Sequence, residues 1–218
     1  MKNKFLYHGS RGGLVGEIKP ISRFRCDFGK GFYMGTNKEQ VKSLISNDPT
    51  PYYYELSLDI SSIDEKRMLE LKGMQWAYFV LFNRGRLEEI KNSSLYQTYK
   101  NLAENKDLII GAIADDAMNE TMAKFIHNEI TNKAFLESIR ALDFGFQYVA
   151  KTDFACSCIQ IIKEKPLFGK ELDDAINFSH KRRIEGGEIA IAMQKKYRRE
   201  GLFFDEILEK IVEGKNVE

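Results

Sequence analysis

The hydrophobic positions of this chain follow two spacings, one typical of strands and the other typical of helices. Short runs rich in aromatic and branched residues predict strands. The run from Asp107 to Ala114 is almost entirely apolar, which is typical of a strand buried on both faces. The predicted strands are Phe5–His8, a strand that carries Tyr33, Tyr52–Leu58, Asp107–Ala114 and Phe146–Lys151.

Apolar residues three or four positions apart predict helices between these strands and after them. Thr36 or Asn37 is suited to cap the first helix. The apolar face of this helix contains Val41, Leu44 and Ile45. The further predicted helices are Asp64–Leu87 with an interruption at Gly73, Ser94–Glu104, a segment through Met118, Met122 and Phe125, Thr131–Leu142, Asp153–Ile162, Lys170–Lys181 and Gly187–Lys215.

Length and composition limit the class of protein. A chain of 218 residues, 43% hydrophobic and 30% charged, is long enough for one domain with a substantial core and appendages. We expect this domain to span residues 1–165 and a helical extension to span residues 166–218. The 33 basic and 32 acidic residues nearly cancel, so net charge gives no reason to expect nucleic-acid or membrane binding. Without a signal-like segment or a run of 18 apolar residues, we expect a cytoplasmic protein.

The cysteines and two basic clusters each have an ordinary interpretation. Cys26, Cys156 and Cys158 lack the spacing of a metal site, which predicts free thiols. The clusters 181–183 and 195–199 are either a solvated helix face or a contact for nucleic acid or an acidic partner.

Two glycine-containing motifs carry the candidate chemistry. The first, Tyr7-His8-Gly9-Ser10, ends a predicted strand. A histidine there can make a directional hydrogen bond to a sugar hydroxyl, and the glycine lets the backbone approach a planar amide. The second motif, Asp27-Phe28-Gly29-Lys30-Gly31-Phe32-Tyr33, places two glycines around a lysine just before a strand, where the Tyr33 ring suits stacking on a flat ligand. Together the motifs predict a nucleotide pocket.

These motifs resemble the NAD-binding core of the diphtheria-toxin-like ADP-ribosyltransferases, whose best-known branch is the poly-ADP-ribose polymerases. The segments Asp27–Tyr33, Trp76–Arg84 and Asp107–Asp116 are also similar to those of a bacterial family of unassigned function. The resemblance covers roughly residues 4 to 163. It implies an α+β fold with a split β-sheet core, flanking helices and a C-terminal helical extension.

The resemblance also implies a mono-ADP-ribosyltransferase that consumes NAD and needs no metal, because nicotinamide is already a good leaving group. In this interpretation His8 contacts a ribose hydroxyl, the Gly9 backbone contacts the carboxamide, and Tyr33 stacks on nicotinamide. The acceptor is a protein or a nucleic acid. Related small bacterial transferases act as toxins or defence effectors, so an antitoxin-like partner is expected on the same ground. The predicted NAD-binding residues are His8, Gly9, Ser10, Arg25, Gly29, Lys30, Gly31, Phe32, Tyr33 and Asp115.

Gln147 occupies the position that the resemblance assigns to a catalytic glutamate, and it completes a predicted catalytic set with His8 and Tyr33. An amide can orient the ribose by hydrogen bonds. It cannot act as a general base or place a full negative charge beside an oxocarbenium ion. Glutamine is nevertheless usual at this position in the similar bacterial family. Slow transfer, substrate-assisted catalysis and absence of catalysis are therefore all open.

Two other functions are compatible with the same motifs. The first is a non-catalytic module that binds NAD or ADP-ribose and acts through partner contacts. The second is an RNA 2′-phosphotransferase of the same fold, for which Arg23, Arg25 and Arg84 are the candidate phosphate-binding residues. Arg25 lies in a basic loop that is either solvated or near a pyrophosphate. Asp115 and Asp116 either bind ribose or cap the next helix.

Overall fold

The computed structural model describes residues 3–23, 25–113, 116–142 and 145–213. Its strands are β1 (Asn3–Ser10), β2 (Phe32–Gly35), β3 (Tyr52–Asp59), β4 (Met68–Glu70), β5 (Leu108–Ala112), β6 (Phe146–Ala150) and β7 (Ile159–Pro166). Its α-helices are α1 (Lys38–Ile45), α2 (Gly73–Asn83), α3 (Ser94–Asn101), α4 (Asp116–Ile126), α5 (Asn132–Leu142), α6 (Asp153–Ser157), α7 (Lys170–Tyr197) and α8 (Phe204–Val212). The predicted α+β class is confirmed.

The strands form one seven-stranded sheet in the order β4-β5-β6-β2-β1-β3-β7. The β4–β5 pair is parallel and the other pairs are antiparallel. Side chains alternate between the two faces of a strand, so every second residue of the central strands lies on the same side. One such side forms a hydrophobic core whose buried members include Leu6, Phe32, Met34, Tyr54, Leu56, Leu58, Leu108, Tyr148 and Ala150.

Of the two residues predicted to cap helix α1, Thr36 and Asn37, the structure selects Asn37. The Asn37 side chain accepts hydrogen bonds from the backbone N–H groups of Glu39 and Gln40, at 3.1 and 3.2 Å. Val41 and Ile45 are buried as predicted, but Leu44 is 60% exposed. The sheet therefore covers a narrower stripe of this helix than its hydrophobic pattern indicates.

The chain folds into two compact units. The first lies within Met1–Leu71, Asn105–Ile113 and Phe144–Arg182 and contains the whole sheet. The second lies within Lys72–Glu104, Ala114–Asp143 and Arg183–Glu218. Among the described helices, none has the length and apolar composition needed to cross a membrane. The predicted division between residues 165 and 166 stays a prediction.

Aromatic rings build part of the core of the second unit. Phe125 of α4 stacks on Phe135 of α5, with ring centroids 5.1 Å apart, and meets Phe204 of α8 edge to face at 5.4 Å. Asn132 and Leu202 exchange two hydrogen bonds, from Asn132 N to Leu202 O at 2.8 Å and from Leu202 N to Asn132 Oδ1 at 2.9 Å. These bonds join the start of α5 to the segment before α8.

The predicted helix Asp64–Leu87 is wrong in its first part. Residues Met68–Glu70 form β4, which pairs in parallel with residues 108–110 of β5, and α2 begins only at Gly73. Pairing with a distant strand gives these backbone groups partners that a local helix otherwise supplies. Local apolar spacing does not report such a partner.

The predicted helix Asp153–Ile162 is also wrong beyond its first turn and a half. Helix α6 ends at Ser157, and the chain continues as β7 along the edge of the sheet, paired with β3.

In the C-terminal part of the chain, the predicted break between residues 181 and 187 is absent, because α7 runs through Gly186 and Gly187. A glycine costs about 1 kcal/mol in a helix, which the rest of a 28-residue helix overcomes. The predicted helix Gly187–Lys215 is instead interrupted between α7 and α8.

We expect the central strands, rather than the β7 edge, to determine stability. Leu56 on β3 is fully buried, so Leu56→Ala should lower the free energy of unfolding by about 2–5 kcal/mol. Ile162 on β7 is 51% exposed, and Ile162→Ala should change it by less than about 1 kcal/mol. Urea denaturation measures both. Equal losses in the two variants would contradict this assignment of the core.

Candidate functional site

Strands β1 and β2 separate after a single pair of residues, Tyr7 and Gly35. By contrast, β1 pairs with β3 along its whole length, from Asn3 to Ser10. Strand β2 likewise pairs with β6 from Phe32 to its end. The sheet is therefore split between β1 and β2, and we call this gap the split.

A histidine side chain replaces the missing backbone bonds at the split. Nδ1 of His8 lies 2.7 Å from the carbonyl oxygen of Tyr33, and because a carbonyl only accepts, Nδ1 carries the hydrogen. Burial lowers the pKa of His8 to about 4, although the bond to Tyr33 acts in the opposite direction. The ring stacks on Phe32, with centroids 4.3 Å apart. At neutral pH the imidazole is therefore uncharged, and its Nε2 is a hydrogen-bond acceptor.

Backbone alternation directs the peptide groups of Gly9 into the split. The carbonyl oxygen of Tyr33 faces β1, because it accepts the bond from His8. Peptide groups of alternate residues point to the same side of a strand, so those of Gly35 face β1 as well and meet Tyr7. The peptide groups of Gly9 point the same way, but the described part of β2 provides no paired residue there. Gly9 thus presents a backbone N–H and a C=O to the split.

Packing alone also requires glycine on either side of this gap. A Cβ atom at Gly9 would lie 2.8 Å from Ile45 Cγ2 and 3.2 Å from the carbonyl oxygen of Val41. A Cβ atom at Gly35 would lie 2.8 Å from Val41 Cγ2. The close approach of α1 to the sheet therefore accounts for both glycines without a ligand.

The hydroxyl of Tyr33 closes the turn that precedes β2. It donates to the carbonyl oxygen of Gly29 at 2.7 Å and accepts from the backbone N–H of Phe28 at 2.9 Å. Gly29 has a φ of 71°, in the left-handed region that favours glycine. Phe28 is fully buried. Tyr33 thus has a structural role in this turn, and its stacking on nicotinamide stays a prediction.

Other residues of the second motif hold the turn that precedes β2 against β6 and the residue that follows it. A Cβ atom at Gly31 would lie 2.5 Å from Val149 Cγ1, so only glycine permits this approach. Lys151 donates from Nζ to the carbonyl oxygen of Phe28 at 2.5 Å, and burial lowers the pKa of Lys151 to about 8. Lys30, between the two glycines, is exposed.

Gln147 on β6 is buried, with 6% of its surface exposed. Its Nε2 donates to the carbonyl oxygen of Ala112 at 3.1 Å and to Oδ2 of Asp27 at 3.2 Å. Both partners accept only, which fixes the amide with its NH2 group toward them. The residues paired with Gln147 on the neighbouring strands are Gly35 and Gly111, so no side chain crowds the amide from those positions.

The register of the sheet places Gln147 and His8 at nearly the same position along the direction of the strands. Gln147 pairs with Gly35, which pairs with Tyr7, the residue before His8. Two strand spacings, about 10 Å, therefore separate the backbones of β6 and β1 at this level. Alternation directs the His8 ring toward the face that carries Phe32, and Gln147 toward the opposite face. A ligand in the split that contacts both side chains must therefore extend past β2 to the face that carries Gln147.

Several other predicted residues have different surroundings. The hydroxyl of Ser10 donates to the carbonyl oxygen of Gly13 at 2.8 Å and so closes the following loop. Arg23 and Arg25 are exposed, the latter with a φ of 63°. Arg84 follows α2, where its backbone N–H donates to the carbonyl oxygen of residue 80 at 3.0 Å. Asp115 lies outside the described residues.

Two side chains at the site escaped sequence reasoning as functional residues, namely Asp27 and Lys151. Asp27 opens the second motif and Lys151 ends a predicted strand, so both lay within recognised segments. An aspartate beside a glycine turn is, however, an ordinary turn residue. The contact from Asp27 to Gln147 joins positions 120 residues apart, which no local pattern reports. Within the described ranges, no three His, Cys, Asp or Glu side chains come together as possible metal ligands.

The chain belongs to the family described as Protein of unknown function (DUF3990), whose profile matches residues 5–161. The match contains residues 5–10 of β1, all of β2 and β6, and the second motif, and therefore the residues on both sides of the split. No curated protein and no solved structure matches the chain.

We expect His8 to make stability depend on pH. Its folded-state pKa of about 4 lies below the ordinary value of 6.5, so the unfolded chain binds the proton more readily. The stabilising contribution of neutral His8 is therefore complete above about pH 6.5 and is lost as the pH falls toward about 4. The variant His8→Asn retains a donor for the Tyr33 carbonyl but does not titrate.

Urea denaturation at several pH values tests this expectation. The parent should lose up to about 1.4 kcal/mol of unfolding free energy per pH unit, relative to His8→Asn, across that window. The same pH dependence in both proteins would show that His8 is not held neutral by the fold.

Proposed function

We propose that this protein binds NAD in the split and transfers its ADP-ribose group to a protein or nucleic-acid acceptor. One observation carries the proposal: His8 and the peptide groups of Gly9 border the split, and Gln147, on β6 beyond β2, lies at nearly the same position along the strand direction. These are the residues that the resemblance to ADP-ribosyltransferases assigns to the nicotinamide riboside half of NAD.

The peptide groups of Gly9 are complementary to a carboxamide. The amide of nicotinamide has one acceptor oxygen and an NH2 donor, and Gly9 offers one N–H and one C=O. Binding at an unpaired strand edge uses the same hydrogen bonds as the addition of a strand to a sheet. This contact selects nicotinamide from other flat rings that lack the carboxamide.

The uncharged state of His8 favours the same ligand. The nicotinamide ring of NAD is positively charged, so an imidazolium beside it would be repelled. A neutral imidazole with Nε2 as acceptor can instead receive a ribose hydroxyl. The exposed cations Arg25 and Lys30, on the loop before β2, are suited to the two phosphates.

In the proposed reaction the bond between ribose C1′ and the nicotinamide nitrogen breaks, and its electron pair goes to the ring, which leaves neutral. A lone pair of the acceptor forms the new bond to C1′, and the acceptor proton passes to solvent. Gln147 orients the ribose through Oε1. An amide alone lacks the full negative charge of a glutamate, and the loss of one such interaction costs about 2.7–4 kcal/mol of transition-state stabilisation.

The cellular setting follows from the same resemblance. The transferase acts in the cytoplasm, where it has access to NAD, as a toxin or defence effector. An antitoxin-like protein neutralises it in the cell that produces it.

A second candidate function is a non-catalytic module that binds NAD or ADP-ribose and acts through partner contacts. The observation that favours it is the neutral amide of Gln147 in the position of a catalytic carboxylate. The two candidates share the binding site and differ in turnover.

We expect His8→Ala to weaken NAD binding about tenfold, because the variant loses the acceptor nitrogen and the bond that spans the split. Isothermal titration calorimetry measures this change. His127→Ala is the matched control, because His127 is exposed at the end of α4, and it should bind NAD like the parent. Equal affinities for NAD in the parent and both variants would show that NAD does not bind in the split.

Turnover is tested by incubating the protein with adenine-labelled NAD and a cell lysate, with lysate alone as the blank. Free nicotinamide is followed, together with label on protein and on nucleic acid separately. We expect label transfer by the parent and a loss of at least about tenfold in Gln147→Ala. NAD binding without nicotinamide release in the parent would instead establish the non-catalytic module.

A further inference from the structure

A carboxylate lies directly against the amide that stands in the position of the catalytic glutamate. Oδ2 of Asp27 accepts a hydrogen bond from Gln147 Nε2 at 3.2 Å. The second N–H of the amide goes to the carbonyl oxygen of Ala112. The described residues donate no hydrogen bond to Oε1 of Gln147. The amide is therefore held from one side, with its oxygen left to accept from a ligand.

The Asp27 carboxylate belongs to a turn that several hydrogen bonds hold in place. The backbone N–H of Gly29 donates to the carbonyl oxygen of Cys26 at 3.0 Å, which closes the turn around Asp27. Tyr33 and Lys151 bind the same turn through the Gly29 and Phe28 backbones. The pairing of Asp27 with Gln147 thus joins a hydrogen-bonded turn to a central strand of the sheet.

A hydrogen bond to a carboxylate changes the chemistry of an amide. Charge-assisted bonds are stronger than neutral ones, and bonds in series polarise one another. Donation to Asp27 shifts electron density in the Gln147 amide toward Oε1, which becomes a stronger acceptor. The pair Asp27–Gln147 therefore combines a directional acceptor with one negative charge, the two properties that a single glutamate supplies.

We propose that Asp27 is a positioning residue for the group transfer, which it assists through Gln147. It holds Oε1 toward the ribose and provides the negative charge that stabilises the positive charge developing at C1′. Glutamine at position 147 then represents a division of the glutamate role between two side chains. This inference rests on the proposed function.

The variant Asp27→Asn separates charge from geometry. Asparagine can still accept from Gln147 Nε2 through Oδ1, but it carries no charge. We expect kcat for nicotinamide release to fall about 10- to 100-fold, with KM for NAD within about twofold of the parent. Asp153→Asn is the matched control, because Asp153 is exposed on α6, and it should leave both constants unchanged.

A charge exchange provides the complementary variant. In the double variant Asp27→Asn, Gln147→Glu, the carboxylate moves to position 147 and an amide donor to position 27. We expect kcat of this double variant to be at least about tenfold higher than kcat of Asp27→Asn. Recovery is incomplete because the Ala112 carbonyl loses its donor. In Gln147→Glu alone, two carboxylates are adjacent, so one of their pKa values rises and the pH profile of kcat gains an ionisation that the parent lacks.

Calorimetry with NAD and nicotinamide release in the lysate assay are measured on every variant. Rates within twofold of the parent in Asp27→Asn overturn the role of Asp27 and leave the transferase intact. A parent that binds NAD without releasing nicotinamide excludes the transferase and, with it, this role. If the parent protein does not bind NAD, the split is not an NAD-binding site. A lower kcat in Asp27→Asn that rises again in the double variant supports the division of the glutamate role between Asp27 and Gln147.

Discussion

A single side-chain hydrogen bond, from Nδ1 of His8 to the carbonyl oxygen of Tyr33, joins two strands where their backbone ladder has ended. This bond determines which ring nitrogen carries the hydrogen, and burial keeps the ring uncharged. Backbone alternation along β1 directs the peptide groups of Gly9 into the same gap. The chemistry available in the split therefore depends on a neutral histidine in one tautomer.

The glycines around the split illustrate how packing and ligand binding can impose the same residue. Gly9 and Gly35 are required by the approach of α1, and Gly31 by the approach of β6. A missing Cβ is consequently no evidence of a ligand at these positions. The support for a ligand at Gly9 comes from its backbone polar groups, which face the split at the point where pairing with β2 has stopped.

In the proposed function, the charges of the site suit a cationic ring. His8 is neutral, and Asp27 provides a carboxylate behind the amide of Gln147. The ammonium of Lys151 has a structural role, because it donates to the carbonyl oxygen of Phe28 in the turn before β2. In the proposed function, the polar groups that contact nicotinamide riboside are thus neutral, and the carboxylate of Asp27 acts through the amide of Gln147.

The sequence by itself determined the α+β class, most strand and helix positions, a helix cap at Thr36 or Asn37, and the two motifs near the split. These features depend on side-chain periodicity and turn chemistry within a few residues, so local sequence encodes them. Only the tertiary structure decided that residues 68–70 and 159–166 form strands and that Asp27 meets Gln147. These features depend on partners 40 or more residues away, and local spacing carries no information about which distant segment completes a hydrogen bond.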